Sequence, residues 1–301
     1  MSTLAITGGT GFVGKRAIDL ALAAGHSVRA LTRRPQPPRD SVTWIEGALD
    51  TPQPLDQLVA GANAVLHIAG VVNAPDRAGF AAGNIAGTQA VLDATRSAGV
   101  RCFVHVSSLA AREPLLSSYG WSKREAEQVV EASALDWVIV RPPGIYGPGD
   151  LEMRDVFRMA RLGIALLPPP ARGSWIEVGD IAALLLALAT AESPRAIYEA
   201  DDGRPNGWSH AELAREIGIA VGRGVLPLSL PKPLLSLAAR ADRTLRGKGA
   251  KLTPDRVGYL CHPDWTIDPA KRPPSHLWQP RIATPEGLAA TAAWYRANGL
   301  L

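Results

Sequence analysis

A tyrosine followed four residues later by a lysine, in YGWSK (Tyr119 to Lys123), is a pair that can move a proton. On a helix, i to i+4 spacing puts the phenol and the ammonium on one face, close enough to interact. A phenol with its ordinary pKa of about 10 is a poor proton shuttle near neutrality, and a neighbouring cation favours the phenolate. Two hydroxyls, Ser107 and Ser108, close the apolar run CFVHVSS shortly before YGWSK. The set carries chemistry only if the elements around it bring these residues to one cleft.

From residue 4 to about 141, short apolar runs (LAIT, SVRALT, VTWIEG, AVLHIAG, CFVHVSS, DWVIVRP) alternate with helical patterns such as GKRAIDLALAAG, LDQLVAG and NIAGTQAVLDATRSAG. Repeated strand-helix-strand units take right-handed crossovers and build a parallel sheet with helices on both faces. The expected fold class is α/β, a Rossmann-type doubly wound parallel sheet with a smaller, mostly helical C-terminal region. Ligands of such sheets bind beyond the carboxyl ends of the strands, where the serine pair and YGWSK fall. After RPPGIYGPGD the character changes to proline-rich turns (LLPPPARG, LPLSLPKP, KRPPSH). The shift predicts a sheet domain over 1–150 and a smaller substrate-side region over 151–301, with 175–200 returning to the sheet. PLLSLAARADRTLRGKG (233–249) reads as an amphipathic helix with a basic end, which either covers the pocket or attaches to a membrane surface.

The first βα turn is TGGTGFVG, residues 7 to 14, straight after a strand and opening a helix. Gly8, Gly11 and Gly14 permit a tight turn, close approach of a pyrophosphate and close helix packing, and the helix N-terminus offers N–H groups to the phosphates. Thr10, Phe12 and Val13 lie between those glycines and are expected to touch the cofactor. An acidic residue about 20 positions past the glycines would grip the ribose 2′-hydroxyl of NAD. The chain instead has LTRRP there, with Arg33 and Arg34 and no carboxylate before Asp40. Guanidinium groups bind a 2′-phosphate through charge-assisted hydrogen bonds, so NADP is the expected cofactor rather than NAD.

Together TGGTGFVG, VSS, YGWSK, RPPGIYGPGD and the late GDIAALLLAL resemble the extended short-chain dehydrogenase/reductase family, in its epimerase/dehydratase-like branch. The resemblance spans nearly the whole chain and is clearest over 3–150. It implies catalytic roles for Ser108, with Ser107 the other register, and for Tyr119 and Lys123, the lysine also holding the nicotinamide ribose. It places Ala69, Gly70 and Asn84 beside the cofactor, and the turn with Pro142, Pro143 and Ile145 against the nicotinamide. The chain departs from the family pattern twice. Ala48 stands where many members have an aspartate near the adenine, leaving that contact to Leu49 and backbone groups. Ser174 stands where nucleotide-sugar enzymes often carry an arginine for substrate phosphates, with Arg172 close but out of register. The family also implies a homodimer through helices placed at 84–98 and 119–134.

A chain of 301 residues with 47% hydrophobic content can bury a substantial core. Its 32 basic and 28 acidic residues are dispersed without a long basic run, which speaks against nucleic acid as a partner. Cys102 and Cys261 form neither a disulfide framework nor a zinc spacing. The six histidines do not cluster, and His67 and His105 read as satisfied interior residues, so no metal is expected. MSTLAITGG lacks the pattern of a secretory signal and IAALLLALA is too short to span a bilayer, which predicts a cytoplasmic protein without an integral membrane segment. The leading expectation is an NADP-dependent oxidoreductase acting on a carbonyl or alcohol of a small, fairly apolar substrate. One alternative is a nucleotide-sugar epimerase or dehydratase that retains its cofactor. Another is a non-catalytic NADPH-holding structural subunit, because GAKLTPDRVGYL resembles a stretch in an accessory subunit of respiratory complex I.

Overall fold

The apolar runs of the first half become the strands of one sheet in the computed structural model, which describes residues 2–191, 195–250 and 252–301. The strands are β1 (Thr3–Thr7), β2 (Ser27–Thr32), β3 (Val42–Glu46), β4 (Ala64–His67), β5 (Cys102–Val106), β6 (Asp136–Arg141) and β7 (Ala196–Glu199). They lie in the order β7-β6-β5-β4-β1-β2-β3, every neighbouring pair parallel. The helices are α1 (Phe12–Ala23), α2 (Pro52–Val59), the short α3 (Arg77–Phe80), α4 (Gly87–Ser97), α5 (Ser118–Glu131) and α6 (Val178–Thr190). Strand order reverses between β1 and β4, the switch point where ligands of doubly wound sheets bind.

Helices on both faces explain why β4 is buried at every position and β5 and β6 at all but the first, reading as continuous apolar runs instead of alternating ones. One side of the sheet closes on Leu55, Leu58, Val91, Leu92 and Val130, which pack against Val65, Phe103 and Ile139. Each such side chain contributes roughly 1.5–3 kcal/mol of transfer free energy when fully buried.

Contacts divide the chain into two units. The first takes Met1–Pro142, Gly179–Glu199 and Ala270–Gln279. The second takes Pro143–Val178, Ala200–Pro269 and Pro280–Leu301. The changeover expected near 150 therefore falls at Pro142, where two successive prolines offer no N–H to extend the β6 ladder. Residues 270–279 carry no strand or helix period, and tertiary bonds hold them in the first unit: Trp278 Nε1 donates to the Asp180 carbonyl (3.1 Å) and Lys271 Nζ lies 3.8 Å from Glu199.

In the second unit, helices Arg154–Arg161, His210–Val221 and Thr284–Ala297 gather around Tyr146, Phe157, Ile217, Leu288 and Tyr295. Among the described residues, three small sheets of two or three strands accompany them. Ser209 and Glu212 form a capping box that fixes the start of the second of those helices. The amphipathic helix expected at 233–249 spans Lys232–Arg246 and packs on Pro254–Leu260 through the small cluster of Leu235, Ala239 and Val257. Among the described residues no helix is long and apolar enough to cross a membrane.

Candidate active site

The glycine turn sits at the switch point with the geometry its spacing predicts. Gly8 has φ +74° and approaches β4 so closely that a Cβ would lie 2.7 Å from the Ala69 nitrogen. A Cβ on Gly14 would come 2.0 Å from the Gly8 carbonyl oxygen, so α1 starts this near the turn only because the residue is glycine. Gly11 is the extended N-cap residue and has no side-chain hydrogen bond, which leaves the helix end open to an anion. Phe12 and Val13 open the helix half-buried, and Thr10 and Gly11 are exposed. A polar chain braces the switch point from below: Thr7 Oγ1 meets His67 Nδ1 (2.7 Å), His67 Nε2 meets Thr88 Oγ1 (3.0 Å), and Thr88 donates to the Asn84 carbonyl (2.6 Å).

Past β2, a cavity of about 530 Å³ is lined by Thr10, Lys15, Thr32, Arg33, Arg34 and Gln36. Arg33 and Arg34 are exposed. Thr32 shapes their loop by donating to the Arg34 carbonyl (2.7 Å) and accepting from its N–H (3.3 Å). Lys15 is the residue here that sequence reasoning missed. It stands in the first turn of α1, which holds no acidic residue, where a cation opposes the helix dipole. That mismatch is the signal that could have found it, since a bound anion would remove the repulsion.

The residues expected to handle the proton follow β5. Ser107 is buried and its hydroxyl donates to Glu127 Oε1 (2.6 Å), so it is committed to the fold. Ser108 is half-buried and starts a short turn over Leu109–Arg112, accepting from the Ala110 N–H (3.2 Å). The Pro142 carbonyl accepts from the Leu109 N–H (3.0 Å) and ties that turn to the end of β6. Ser117 caps α5, placing half-buried Tyr119 in its first turn with the ring 6.2 Å from Phe80. Gly120 explains the glycine of YGWSK: a Cβ there would lie 2.6 Å from the Ala110 carbonyl oxygen, so only glycine lets this helix meet the Ser108 turn so closely.

Lys123, one turn further on, is buried, and its Nζ donates to the Val106 carbonyl (2.8 Å), two residues before Ser108. Burial drives its pKa down to about 8, with Glu127 pulling the other way. A Cβ on exposed Gly70 would lie 3.2 Å from Lys123 Nζ and 3.3 Å from Asn84 Oδ1, so this glycine leaves the ammonium a clear approach. Asn84 lies in a π-helical stretch, Ala81–Ala86, ahead of α4. It accepts from the Val71 N–H (2.7 Å) and donates to the Val71 carbonyl (2.9 Å) and to Ser122 Oγ (2.8 Å). Its side chain thus links the segment after β4 to α5. Leu49 packs on the core beside Gly87. Ile145 belongs to the second unit, on the short strand Gly144–Tyr146.

One expectation about the histidines needs correction. His67 is satisfied as described, but neither ring nitrogen of His105 has a hydrogen-bond partner. The ring stacks on His67 instead, with centroids 5.3 Å apart. Burial and then the Lys123 charge hold His67 at about 3 and push His105 well down, so both stay neutral.

The glycine turn lies at the switch point, and Ser108, Tyr119 and Lys123 all follow β5. A family model described as NAD(P)H-binding matches residues 8–192. The chain belongs to that NAD(P)H-binding family and is an oxidoreductase of the extended short-chain dehydrogenase/reductase type. It is 36% identical to a ceramide reductase of Caulobacter vibrioides, over 99% of this chain and 96% of the relative. It is 29% identical to a 2-alkyl-3-oxoalkanoate reductase of Stenotrophomonas maltophilia, over 94% and 96%. The fold is shared with the crystal structure of UDP-N-acetylglucosamine 4-epimerase from Bacillus cereus, with TM-score 0.74, 17% identity and coverage of 98% and 97%.

Proposed function

We propose that the protein is an NADPH-dependent reductase of a carbonyl carried by a lipid of the ceramide class, with Tyr119 as the proton donor. The observation that carries the catalytic reading is the buried Lys123 ammonium, fixed on the Val106 carbonyl and one helical turn from Tyr119. A bound dinucleotide would supply hydride to the carbonyl carbon. Tyr119 donates its hydroxyl proton to the carbonyl oxygen, and Ser108 donates a hydrogen bond to the same oxygen. Lys123 favours the phenolate that remains and would also hold the cofactor ribose. The glycine turn and α1 would hold the pyrophosphate, and Lys15, Arg33 and Arg34 the 2′-phosphate.

The substrate class rests on similarity to the ceramide reductase and the oxoalkanoate reductase, whose named substrates carry apolar chains. Two details of the second unit support it over a nucleotide sugar. Ser174 is buried, donating to Asp201 (2.7 Å) and accepting from the Ile267 N–H (3.2 Å), and so offers nothing to a substrate phosphate. Arg172 directs its guanidinium to the carbonyls of Asn206 (2.7 Å) and Gly207 (3.1 Å).

The purified protein is expected to oxidise NADPH in proportion to added ketone when a ketone analogue of ceramide is presented in detergent micelles, and to leave NADPH untouched with UDP-sugars. Epimerisation of a UDP-sugar without net NADPH consumption sinks the reading. For the cofactor, the Arg33→Ala/Arg34→Ala variant is expected to weaken NADPH binding by about 10–100-fold, the loss of one or two hydrogen bonds to a charged group, with NADH binding little changed. Calorimetric titration reads both, and a parent protein that binds NADH as tightly as NADPH overturns the 2′-phosphate assignment.

A further inference from the structure

The helix Lys232–Arg246 is covered on one side only. Leu235 and Ala239 turn inward to Val257, with Leu230, Leu252 and Cys261 packed around them. Leu234, Leu237 and Leu245 are exposed to 52%, 63% and 84%, far beyond what scattered surface leucines need for packing. At about 100° per residue these three and Ala241 fall in one stripe about 80° wide, separate from the buried face.

The charges on the helix are of one sign where they meet solvent. Lys232, Arg240, Arg243 and Arg246 are all exposed. Asp242 is the helix's one acid; its side chain is 17% exposed, accepts from the Leu252 N–H (2.9 Å) and pairs with Arg246 (3.2 Å). Arg240 borders the apolar stripe, about 60° from Leu237, while Lys232, Arg243 and Arg246 fall on the far side of the helix, so the helix presents an apolar edge and a net positive charge, which suits a surface that is apolar beneath and anionic above. Long basic side chains can lay their methylenes along the apolar boundary and keep their charges among headgroups.

We infer that this helix lies on the surface of a bilayer containing anionic phospholipid. Leu234, Leu237 and Leu245 enter the headgroup–acyl boundary, Arg240 beside them meets the phosphates, and Lys232, Arg243 and Arg246 add long-range attraction to the anionic surface. The inference rests on the proposed reading for its purpose: an enzyme whose substrate has a long apolar chain gains by sitting where that substrate is dissolved. The competing occupant is a second copy of the chain. The same unit offers another exposed apolar face, on the parallel strands Ile164–Leu167 and Leu226–Ser229, where Ile164 pairs with Leu226 and Leu166 with Leu228.

The test is co-sedimentation of the full chain with phosphatidylcholine vesicles, with and without phosphatidylglycerol, in the absence of any ketone. The protein is expected to sediment with the anionic vesicles and to leave them as ionic strength rises to about 1 M, where screening is nearly complete. Leu234→Gln/Leu237→Gln/Leu245→Gln and, separately, Arg240→Gln/Arg243→Gln are each expected to weaken partitioning by about tenfold or more. Because all five side chains are exposed and Arg246 keeps its pairing with Asp242, circular dichroism and the thermal midpoint should stay at parent values. The inference is overturned if the parent stays in the supernatant with anionic vesicles at low salt, or if the leucine variant sediments unchanged. It is also overturned if sedimentation equilibrium without lipid finds a dimer that the leucine variant dissociates. NADPH oxidation in detergent micelles needs no bilayer, so docking can fail while the lipid-reductase reading survives, and the reverse.

Discussion

Tyr119→Phe is expected to lower kcat for carbonyl reduction by about 10²–10⁴-fold, the usual contribution of a positioned general acid. Dinucleotide affinity should be unchanged, because the phenol is assigned to the substrate oxygen and the cofactor is held by the glycine turn and the basic cavity. The ring that packs against Phe80 is kept, so the variant should fold. The same geometry sets a pH limb. Lys123 carries its proton only below about 8, since burial penalises the ammonium more than Glu127 supports it. As pH rises through that value the ammonium is lost, the phenolate loses its partner, and the reduction rate should fall. In Tyr119→Phe the residual rate should lack that limb. Single-turnover kinetics across pH separates these steps from binding. A Phe variant that keeps more than about a tenth of the parent rate removes Tyr119 from the chemistry.

The first unit was readable because each local signal agreed with the global arrangement. Strands buried on both faces show as unbroken apolar runs, and the glycine turn must use glycines because backbone atoms of Ala69 and Gly8 occupy the space of a side chain. Tyr119 and Lys123 stand out in the sequence as a pair because a helix makes i and i+4 neighbours without help from the rest of the fold. What escaped reading depends on residues distant in sequence. Lys15 meets Arg33 and Arg34 only when β2 lies beside β1. Gly120 looked like an ordinary helix residue until the Ala110 carbonyl came within reach. His105 looked like any interior histidine, and its lack of a hydrogen-bond partner follows from a stacking neighbour contributed by another strand. Segment 270–279 has no periodicity at all, and its place in the first unit rests on single bonds such as Trp278 to Asp180.

The most consequential group hidden from the sequence is the buried carboxylate of Glu127. It is wholly inaccessible and accepts from Arg141 Nε (2.8 Å) and Nη2 (2.6 Å), from Arg124 (3.0 Å) and from Ser107 (2.6 Å). Those bonds join α5, which carries Tyr119 and Lys123, to the ends of β5 and β6, which carry Ser108 and Pro142. Removing one partner strands the other's charge in the interior, so Glu127→Leu is expected to cost about 3–5 kcal/mol, read as a lower urea midpoint at constant m-value. Glu199, 3.5 Å from Arg141, softens the loss because it still faces the guanidinium. Replacing both charges, as Glu127→Leu/Arg141→Met, should recover part of that stability, since the desolvation penalty disappears with the pair while buried Glu199, losing Arg141, keeps Arg112 (3.3 Å). Activity should not recover with it. Glu127 is a positioning residue, and without it α5 loses its tie to Ser107, so the double variant should fold well, bind dinucleotide normally and show a depressed kcat. A double variant with both stability and kcat at parent values would show that the ion pair does not set the spacing of Ser108, Tyr119 and Lys123.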